Sequence, residues 1–476
     1  MTDNLLIIMS DEHQARAMGC AGHPFVQTPH LDTLAARGRR YANAYTPSPI
    51  CVPARASFAT GLYVHQTRLW DNAMPYAGQI PGWGHALQGA GIPVESIGKL
   101  HYRAAEDPAG FDTEHIPMMV HEGVGMVWGS IRGEAERVTM PSRMLGPYIG
   151  PGESKYTEYD EAVVARTEAW MADRAGQKDP WCLFIGLVAP HFPLVVPEAY
   201  FNLYPAERLP PVKHHPDQGH PRHPWVEKQN AVADTEAAFR DADERLAAIS
   251  AYYGLCTFLD HNVGRILSAL DKAGLTDTTT VVYTSDHGDN LGARGLWGKS
   301  TMYEESAAVP LIAAGPGFAP GVAETPVSLL DLAATIPSHF GVDFPNTGPG
   351  RSLYDMAETD PERPIFSEYH AVGAVSGAYM LRKGRWKLIH YCGFAPELFD
   401  LATDPEEMTD LAQDPAHAAT LALLEAALGD ICDPQATSDL AHADQAAMVA
   451  GYGGRDAALR LGAPAATPPP SLEDSA

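Results

Sequence analysis

Short apolar runs alternate with longer segments of helical periodicity through most of the chain. Residues 4–10 form an apolar run that the polar pair Asp11-Glu12 ends, a pattern typical of a buried parallel strand with polar residues at its carboxyl end. Similar runs predict further strands at residues 94–98, 181–188, 279–284 and 309–313. The sequence therefore predicts a sheet whose strands lie far apart along the chain.

Helical segments separate these strands. Between residues 246 and 270 apolar side chains recur at steps of three and four, which predicts one long amphipathic helix. Strands that alternate with helices favour an α/β fold with a mostly parallel sheet covered on both faces. Ligands of such sheets bind at the carboxyl ends of the strands, so we expect the functional residues there.

The pattern changes after about residue 360. Runs at residues 377–382 and 386–391 flank the turn Lys383-Gly384-Arg385 and predict a β-hairpin. An Ala- and Leu-rich stretch at 416–428 predicts a helix. The Pro-rich end at 463–476 predicts a loose tail.

This change divides the chain into two expected parts. We expect a large catalytic domain over residues 1–360 and a smaller C-terminal subdomain with its tail over 361–476. Within the large part, residues 117–157 and 205–225 lack clean periodicity, and we expect these long insertions to build a specificity pocket. Four aromatic residues are candidates for stacking on a bound group: Trp70, Tyr102, Trp128 and Trp225.

Composition and charge exclude several classes of function. The 476 residues are 45% hydrophobic and 19% charged, which is ordinary for a globular protein. The formal net charge of −26 would repel nucleic acid and anionic membranes, so we expect neither as a partner. Small anionic substrates stay open, because a metal ion and a few cations reverse the sign of one cleft.

The ends and the cysteines bear on the compartment and the assembly. We find neither a basic, apolar leader nor a run of about 18–20 apolar residues that would cross a bilayer. The six cysteines have no paired short spacing, so we expect free thiols and a cytoplasmic protein. Residues beyond about 412 have no evident catalytic task, which favours a homo-oligomer.

The segment around Cys51 carries the first chemical signal. Pro53 and Arg55 follow Cys51 at spacings of two and four, and Gly61 then ends the pattern, which predicts a turn leading into a short helix. A thiol at a helix amino terminus would be exposed and more acidic than usual. A buried cysteine beside a structural proline is the alternative, and these residues alone do not decide between them.

The wider sequence decides by resemblance. The run SPICVPARASFATG resembles the Cys-x-Pro-x-Arg signature of type I sulfatases in the alkaline phosphatase superfamily, and seven more blocks resemble the family in its order: LLIIMSDEH, TPHLDTLAARG, GKLHY, APHFPL, TSDHGDNLG, WGKSTMYEES and ELFDLATDPEEMTDLA. The resemblance implies an alkaline-phosphatase-like α/β sandwich and a small C-terminal subdomain with a short antiparallel sheet. It also implies that a formylglycine-generating maturation enzyme oxidises Cys51 to formylglycine, the hydrated aldehyde nucleophile of the family.

The resemblance further implies a metal site. Asp11 and the pair Asp286-His287 follow predicted strands, and with the modified Cys51 they would hold one divalent cation. Helix capping is the alternative role of the two aspartates. His287 resembles choline-sulfatase-like members and the related phosphonate monoester hydrolases, so Ca²⁺ and Mn²⁺ both stay open. The role of Glu12 also stays open.

Four residues are expected to surround the reacting sulfate. By resemblance, Arg55 would neutralise charge near the nucleophile and Asn72 would place its amide near the substrate oxyanion. Lys99 and His101 are two residues apart after a predicted strand, so both side chains would project to one face. They would supply a cation for a sulfate oxygen and an acid/base imidazole.

Two further residues are expected near the scissile oxygen. By resemblance, His191 and Lys299 would donate a proton and neutralise charge as the leaving group departs. Four more histidines lack regular ligand spacing, and we interpret them as solvated residues rather than a metal site: His214, His215, His220 and His223.

These residues predict a hydrolase of small sulfate monoesters, of the aryl sulfate type, with choline sulfate as the alternative substrate. A phosphonate monoester or phosphodiester hydrolase that uses the same aldehyde would share most of the site and differ chiefly at Lys99 and His101. A metal-binding homologue that has lost activity, with Cys51 unmodified, is the third hypothesis.

Overall fold

The computed structural model describes residues 3–133, 137–140, 143–356, 359–463 and 466–472. Its largest element is an eight-stranded sheet in which Leu311–Ala314 runs against its neighbours and the other seven strands are parallel to one another. The spatial order of the strands is Gly321–Ala323, Arg39–Tyr41, Leu311–Ala314, Thr279–Ser285, Asn4–Asp11, Cys182–Pro190, Val94–Lys99 and Thr113–Met118. The mostly parallel sheet is confirmed.

The first strand explains why its sequence is apolar throughout. Asn4–Asp11 lies inside the sheet, and all eight of its residues are buried. Leu6 and Ile8 point into the core on one face of the sheet, whereas Leu5 and Ile7 point into the core on the other. A strand covered on both faces loses the apolar and polar alternation of a surface strand.

Helices cover both faces, as predicted. One face packs against Pro29–Arg37, Lys155–Arg174 and Ala242–Lys272, and the other against Cys51–Thr60, Trp83–Gly89 and Leu329–His339. The helix predicted at 246–270 is confirmed but is longer, because the Asp241 side chain caps its start by accepting from the Glu244 N–H. The shorter helices are Val64–Thr67, Glu198–Phe201, Pro224–Asn230, Glu304–Ala307 and Arg455–Ala458.

A second, antiparallel sheet lies in the C-terminal part. Its strands, in order, are Ile365–Tyr369, Ala378–Lys383, Trp386–Tyr391 and Glu397–Asp400, which confirms the predicted hairpin. The predicted helix is present as Ala418–Gly429, and Pro434–Gly451 follows it. Two short strand pairs join Ala44–Tyr45 to Val327–Ser328 and Gly150–Pro151 to Val195–Val196.

The loose tail predicted from residue 463 is wrong where the structure describes it. The Ala463 N–H donates to the Gly125 carbonyl at 3.1 Å, and Thr467 hydrogen-bonds to His101 and Tyr156. Small and Pro-rich residues look like a linker in sequence, but here they pack along a groove of the large part. Within the described ranges, no helix combines the length and apolarity needed to cross a membrane.

Candidate active site

The carboxyl ends of two neighbouring strands bring the predicted metal ligands together. Asp11 is the last residue of its strand, and Asp286 and His287 directly follow the adjacent strand, which pairs in parallel with Ser10 opposite Ser285. All three side chains are fully buried. The Glu12 N–H donates to Asp286 Oδ1 at 3.3 Å and ties the two strand ends together.

Cys51 reaches this edge from a helix amino terminus. It is the first residue of Cys51–Thr60, Ile50 before it is extended, and Gly61 ends the helix in the left-handed region, as predicted. The Cys51 Sγ lies 3.2 Å from His287 Nε2 and 3.6 Å from Asp11 Oδ1. Of the two alternatives that the local sequence left open, the structure shows the buried cysteine, and burial and then the Asp11 charge raise the pKa of Cys51 to about 12.

The ligand atoms of Asp11, Cys51, Asp286 and His287 all lie within 4.8 Å of one another. Two carboxylates and one imidazole, with Sγ marking where an oxygen of a modified residue 51 would lie, are a donor set that fits a divalent cation. The His287 Nδ1–H donates to the Gly288 carbonyl at 3.0 Å, which orients Nε2 towards the cluster. The aspartates contact cations and one another's strand ends rather than capping helices.

Arg55 bridges the two buried carboxylates. Its Nε donates to Asp286 Oδ2 at 2.8 Å, its Nη2 donates to Asp11 Oδ2 at 3.2 Å, and its Nη1 donates to the Lys99 carbonyl at 3.1 Å. The planar guanidinium holds all three acceptors in one fixed geometry. Arg55 thereby offsets negative charge beside Cys51, where the resemblance placed it.

Lys99 contacts Asp11, and His101 contacts the C-terminal segment. The Lys99 Nζ is 2.7 Å from Asp11 Oδ2, and a hydrogen bond of 2.8 Å joins His101 Nε2 to Thr467 Oγ1. Burial would raise the pKa of Asp11, but Lys99 and the other nearby cations hold it well below its usual value. Burial, with the charge of Lys99, holds the pKa of His101 well below its usual value, so its imidazole is neutral at neutral pH.

His191 and Lys299 converge on Glu12. Glu12 Oε2 accepts from Lys299 Nζ at 3.0 Å and lies 3.4 Å from His191 Nε2. The Lys299 Nζ also lies 4.9 Å from the ring centroid of Phe192. Burial, with the charge of Lys299, holds the pKa of His191 well below its usual value. The Glu12 carboxylate, whose role the sequence left open, therefore contacts both residues assigned to the leaving group.

Asn72 is fixed by the helix that carries Cys51. Its Oδ1 accepts from the Val52 N–H at 3.1 Å, which leaves its Nδ2 donor for the cleft that Asn72 lines. The neighbouring Asp71 is an anchor, because its Oδ2 accepts from Ser130 Oγ at 2.5 Å and from Gln445 Nε2 at 2.6 Å.

One cleft unites the predicted substrate-facing residues. It encloses about 930 Å³, with the open solvent at its mouth included. The predicted residues that line it are Cys51, Asn72, Lys99, His101, His191 and Lys299. Arg55, Asp11, Asp286 and His287 lie behind this surface. The structure thus brings every predicted site residue to one edge of the sheet.

The cleft also contains residues that the sequence did not single out. They are Met126, Met140, Met144, Tyr156, Trp297 and Thr467. Trp297 was within reach of sequence reasoning, because it stands two residues before Lys299 in the same block. Thr467 carried no signal, since it lies 366 positions from His101, its hydrogen-bond partner.

The expected aromatic residues do not line the cleft. Trp70, Tyr102, Trp128 and Trp225 are buried in the fold. Trp70 Nε1 donates to Asp444 and Trp225 Nε1 donates to Ser376, so these indoles serve packing and polar anchoring. The sequence alone does not show whether a large aromatic side chain points into a cleft or into the core, because that depends on neighbours that are distant in the chain.

Of the two insertions that we expected to build the pocket, one lines the cleft and the other does not. Residues 117–157 contribute Met126, Met140 and Met144, as predicted. Residues 205–225 do not line the cleft, whose wall instead includes residues 229–233. The insertion at 205–225 forms short helical turns at Ala206–Arg208 and Pro216–Gln218 instead.

The four clustered histidines do not form a metal centre among the described residues. His214 stacks on His220 at 4.3 Å between ring centroids, and His223 stacks on Tyr391 at 4.3 Å. His215 is buried and lies 3.1 Å from Glu236. These contacts give the histidines structural partners, so they are more than solvated residues.

Comparison with known proteins supports the geometry. The sulfatase family model matches residues 3–342, and the model of the N-sulphoglucosamine sulphohydrolase C-terminal region matches residues 292–433. A choline-sulfatase of Rhizobium meliloti is 34% identical over 441 residues, which cover 89% of this chain and 85% of that protein. Arylsulfatase K of Homo sapiens is 28% identical over 445 residues, or 86% and 78% of the two chains.

Solved structures agree on the fold. A phosphonate monoester hydrolase from Silicibacter pomeroyi superposes with a TM-score of 0.72 at 27% identity, covering 90% of this chain and 94% of that chain. The phosphonate monoester hydrolase of Agrobacterium radiobacter gives a TM-score of 0.73 at 24% identity, with coverage of 90% and 95%. The family model and the sulfatase relatives together show that this chain belongs to the sulfatases of the alkaline phosphatase superfamily and is a sulfuric ester hydrolase.

Proposed function

We propose that this sulfatase hydrolyses small sulfate monoesters of the aryl type with a formylglycine nucleophile derived from Cys51 and one divalent metal ion. The observation that carries the proposal is the position of Cys51, which belongs to a buried four-residue donor cluster and also lines the cleft. A structural cysteine would not need to share both environments.

Two groups that the chain does not encode would complete this site. A hydrated formylglycine at position 51 supplies one hydroxyl to attack sulfur and a second whose deprotonation expels sulfate. Asp11, Asp286 and His287 would hold Ca²⁺ or Mn²⁺ beside it, and the ion would supply Lewis-acid chemistry and neutralise negative charge there. Maturation requires a formylglycine-generating enzyme as a partner.

The chain's own cations would bind the sulfate group. Lys99 and Lys299 are the two described lysines that line the cleft, and Asn72 adds an amide donor between them and Cys51. Fixed positive charges and donors that face a buried anion stabilise charge on its oxygens without reorganisation. Arg55 lies behind Cys51 and offsets the two carboxylates.

The imidazoles would move protons. The hydrogen bond from His101 Nε2 to Thr467 leaves His101 Nδ1 without a partner among the described residues, so Nδ1 is the atom that accepts a proton. His191 Nδ1–H donates to the Phe192 carbonyl at 2.5 Å, so Nε2 of the neutral ring is an acceptor and the proton for the departing alcohol would come from the Lys299 ammonium beside it. These two residues would assist departure of the alcohol.

The test removes the nucleophile. Protein matured by the formylglycine-generating enzyme and loaded with metal is compared with Cys51→Ala and Cys51→Ser, and we expect each variant to lose at least about a thousandfold in kcat/KM for para-nitrophenyl sulfate while the melting temperature is kept. The half-buried Cys432→Ser is the matched control and should keep full activity. Intact mass should show active protein to be lighter than its sequence, and active protein with an unmodified thiol would exclude this mechanism.

Three alternatives to this proposal can be separated from it by assay. The phosphonate monoester hydrolases share the fold, so a phosphonate monoester or phosphodiester activity with the same aldehyde is the second candidate. Lys99 and His101 favour sulfate, and parallel assays of para-nitrophenyl sulfate and a para-nitrophenyl phosphonate separate the two activities.

The third candidate, a metal-binding homologue without activity, requires unmodified Cys51 and no turnover. Choline sulfate is the alternative sulfate ester, since one relative carries that name.

A further inference from the structure

The outer wall of the cleft is made of apolar side chains from separate segments. Three half-buried methionines, Met126, Met140 and Met144, line the cleft together with apolar residues from four other segments. These residues are Val232, Ala233, Leu296, Trp297, Val372 and Ala466. The cleft is therefore polar around Cys51, apolar side chains make up most of the remaining lining, and the polar residues among the rest, such as Gln229 and Asn230, are uncharged.

This wall is anchored to the core. The Met140 N–H donates to the Val232 carbonyl at 2.7 Å, which joins two of the wall segments. Arg143, next to Met144, lies 2.9 Å from Glu244 at the start of the long helix Ala242–Lys272. The backbone is held in place, while the unbranched methionine side chains adapt to the shape of what they cover.

No carboxylate faces the cleft among the described residues that line it, although the chain has a net charge of −26. Glu236 touches the wall residue Trp297, but its carboxylate accepts from Trp297 Nε1 at 2.8 Å and pairs with His215 and Arg245. The Glu236 carboxylate is thus already paired outside the cleft. A bound quaternary ammonium would find no counter-ion there.

The existing cations also disfavour a second positive charge. Lys299 lies over the Phe192 ring, which occupies one aromatic face that a trimethylammonium group would otherwise use. Lys99 and Lys299 are engaged with Asp11 and Glu12 at the sulfate end.

No other lysine or arginine lines the described part of the cleft, so a second sulfate or a carboxylate on a sugar would lack a partner.

We infer that this site takes sulfate esters whose organic group is uncharged and apolar, whether alkyl or aryl, and discriminates against quaternary ammonium esters and anionic sugar sulfates. This inference rests on the proposed function and names its substrate class. The adaptable methionines allow several apolar shapes, whereas a buried charge without a partner is disfavoured for any shape.

The decisive experiment compares two isosteric substrates. Neohexyl sulfate has the shape of choline sulfate with carbon in place of the quaternary nitrogen, so only the charge differs. With the matured, metal-loaded enzyme we expect kcat/KM for neohexyl sulfate to exceed that for choline sulfate by at least about tenfold. An equal or higher kcat/KM for choline sulfate would overturn the inference.

A charge placed in the wall should reverse the preference. Met144→Glu and, separately, Met126→Glu are each expected to shift the kcat/KM ratio towards choline sulfate by at least about tenfold, because a new carboxylate offers the ammonium a partner. Met408→Glu is the matched control, since Met408 is 42% exposed and lies outside the cleft. An unchanged ratio in both folded cleft variants would contradict the assignment of this wall.

Turnover of para-nitrophenyl sulfate distinguishes failure of the inference about the wall from failure of the proposed function. If that turnover depends on Cys51 but choline sulfate is preferred, the inference about the wall is wrong and the formylglycine mechanism stands. If no sulfate ester is hydrolysed by the matured enzyme, the proposed function is wrong and the inference fails with it.

Discussion

Arg55 illustrates how one side chain organises the site. It is buried, and it donates to Asp11, to Asp286 and to the Lys99 carbonyl. Two buried carboxylates beside Cys51 would repel each other without a cation, and the planar guanidinium is the side chain that contacts both at fixed geometry. The position of Arg55 four residues after Cys51 places it one helical turn along, on the face that points at the sheet edge.

Arg55→Lys keeps the positive charge but removes the planar guanidinium with its several N–H donors. We expect it to lower kcat/KM for para-nitrophenyl sulfate by at least about tenfold and the free energy of unfolding by about 1–3 kcal/mol, because a single ammonium cannot satisfy both carboxylates and the carbonyl. Activity assays and urea unfolding curves measure the two effects. Arg68→Lys, on a side chain that is 54% exposed, is the control. Equal behaviour of the two variants would refute the bridging role.

At the scale of elements, the C-terminal tail completes a site that the large sheet begins. Thr467 forms hydrogen bonds with His101 Nε2 and, through its carbonyl, with the Tyr156 hydroxyl at 2.5 Å. Ala466 and Thr467 both line the cleft. Among its described residues the segment contributes no charged group to the cleft, so it acts on the site through hydrogen bonds and packing.

Thr467→Val removes the hydrogen bond to His101 and keeps the side-chain volume. We expect kcat to fall about three- to tenfold with little change in KM, because the imidazole loses the bond that fixes its orientation. Thr467→Ser should restore kcat, and the exposed Thr409→Val should leave it unchanged. If valine and serine variants behave alike, Thr467 packs against the cleft but does not position His101.

At the scale of the whole molecule, a buried ion cluster joins the antiparallel sheet to the catalytic part. Lys387, from the strand Trp386–Tyr391, is fully buried with its Nζ 2.7 Å from Glu304 and 2.7 Å from Glu407. Glu407 also accepts from the Glu304 N–H at 2.8 Å. The cation therefore pairs with two acidic side chains at the contact between the sheet and the helix Glu304–Ala307.

Lys387→Met would leave both carboxylates buried without their cation. We expect the free energy of unfolding to fall by about 3–5 kcal/mol, as measured by urea denaturation at neutral pH. Lys383→Met, at the half-exposed end of the neighbouring strand, is the control and should change it by less than about 1 kcal/mol. A small effect of Lys387→Met would mean that the sheet and the catalytic part are joined mainly by apolar contacts.

Local features of this protein were readable from the sequence. A short apolar run predicts the strand at residues 4–10 and apolar periodicity predicts the helix at 246–270, and both patterns depend on near neighbours in the chain. Asp11 and Asp286 were placed together because the carboxyl ends of adjacent parallel strands share one edge. The signature around Cys51 indicated the sulfatase family, which the family comparisons show.

Tertiary structure alone decided which surfaces meet. Thr467 reaches His101 across 366 positions, and the apolar wall takes its methionines from one insertion while the other insertion lies elsewhere. Trp70 and Trp225 are equally aromatic in sequence, yet the fold buries both away from the cleft. Sequence patterns determine the direction of a side chain relative to its own element, whereas a cleft is formed by elements whose contacts depend on packing of the entire chain.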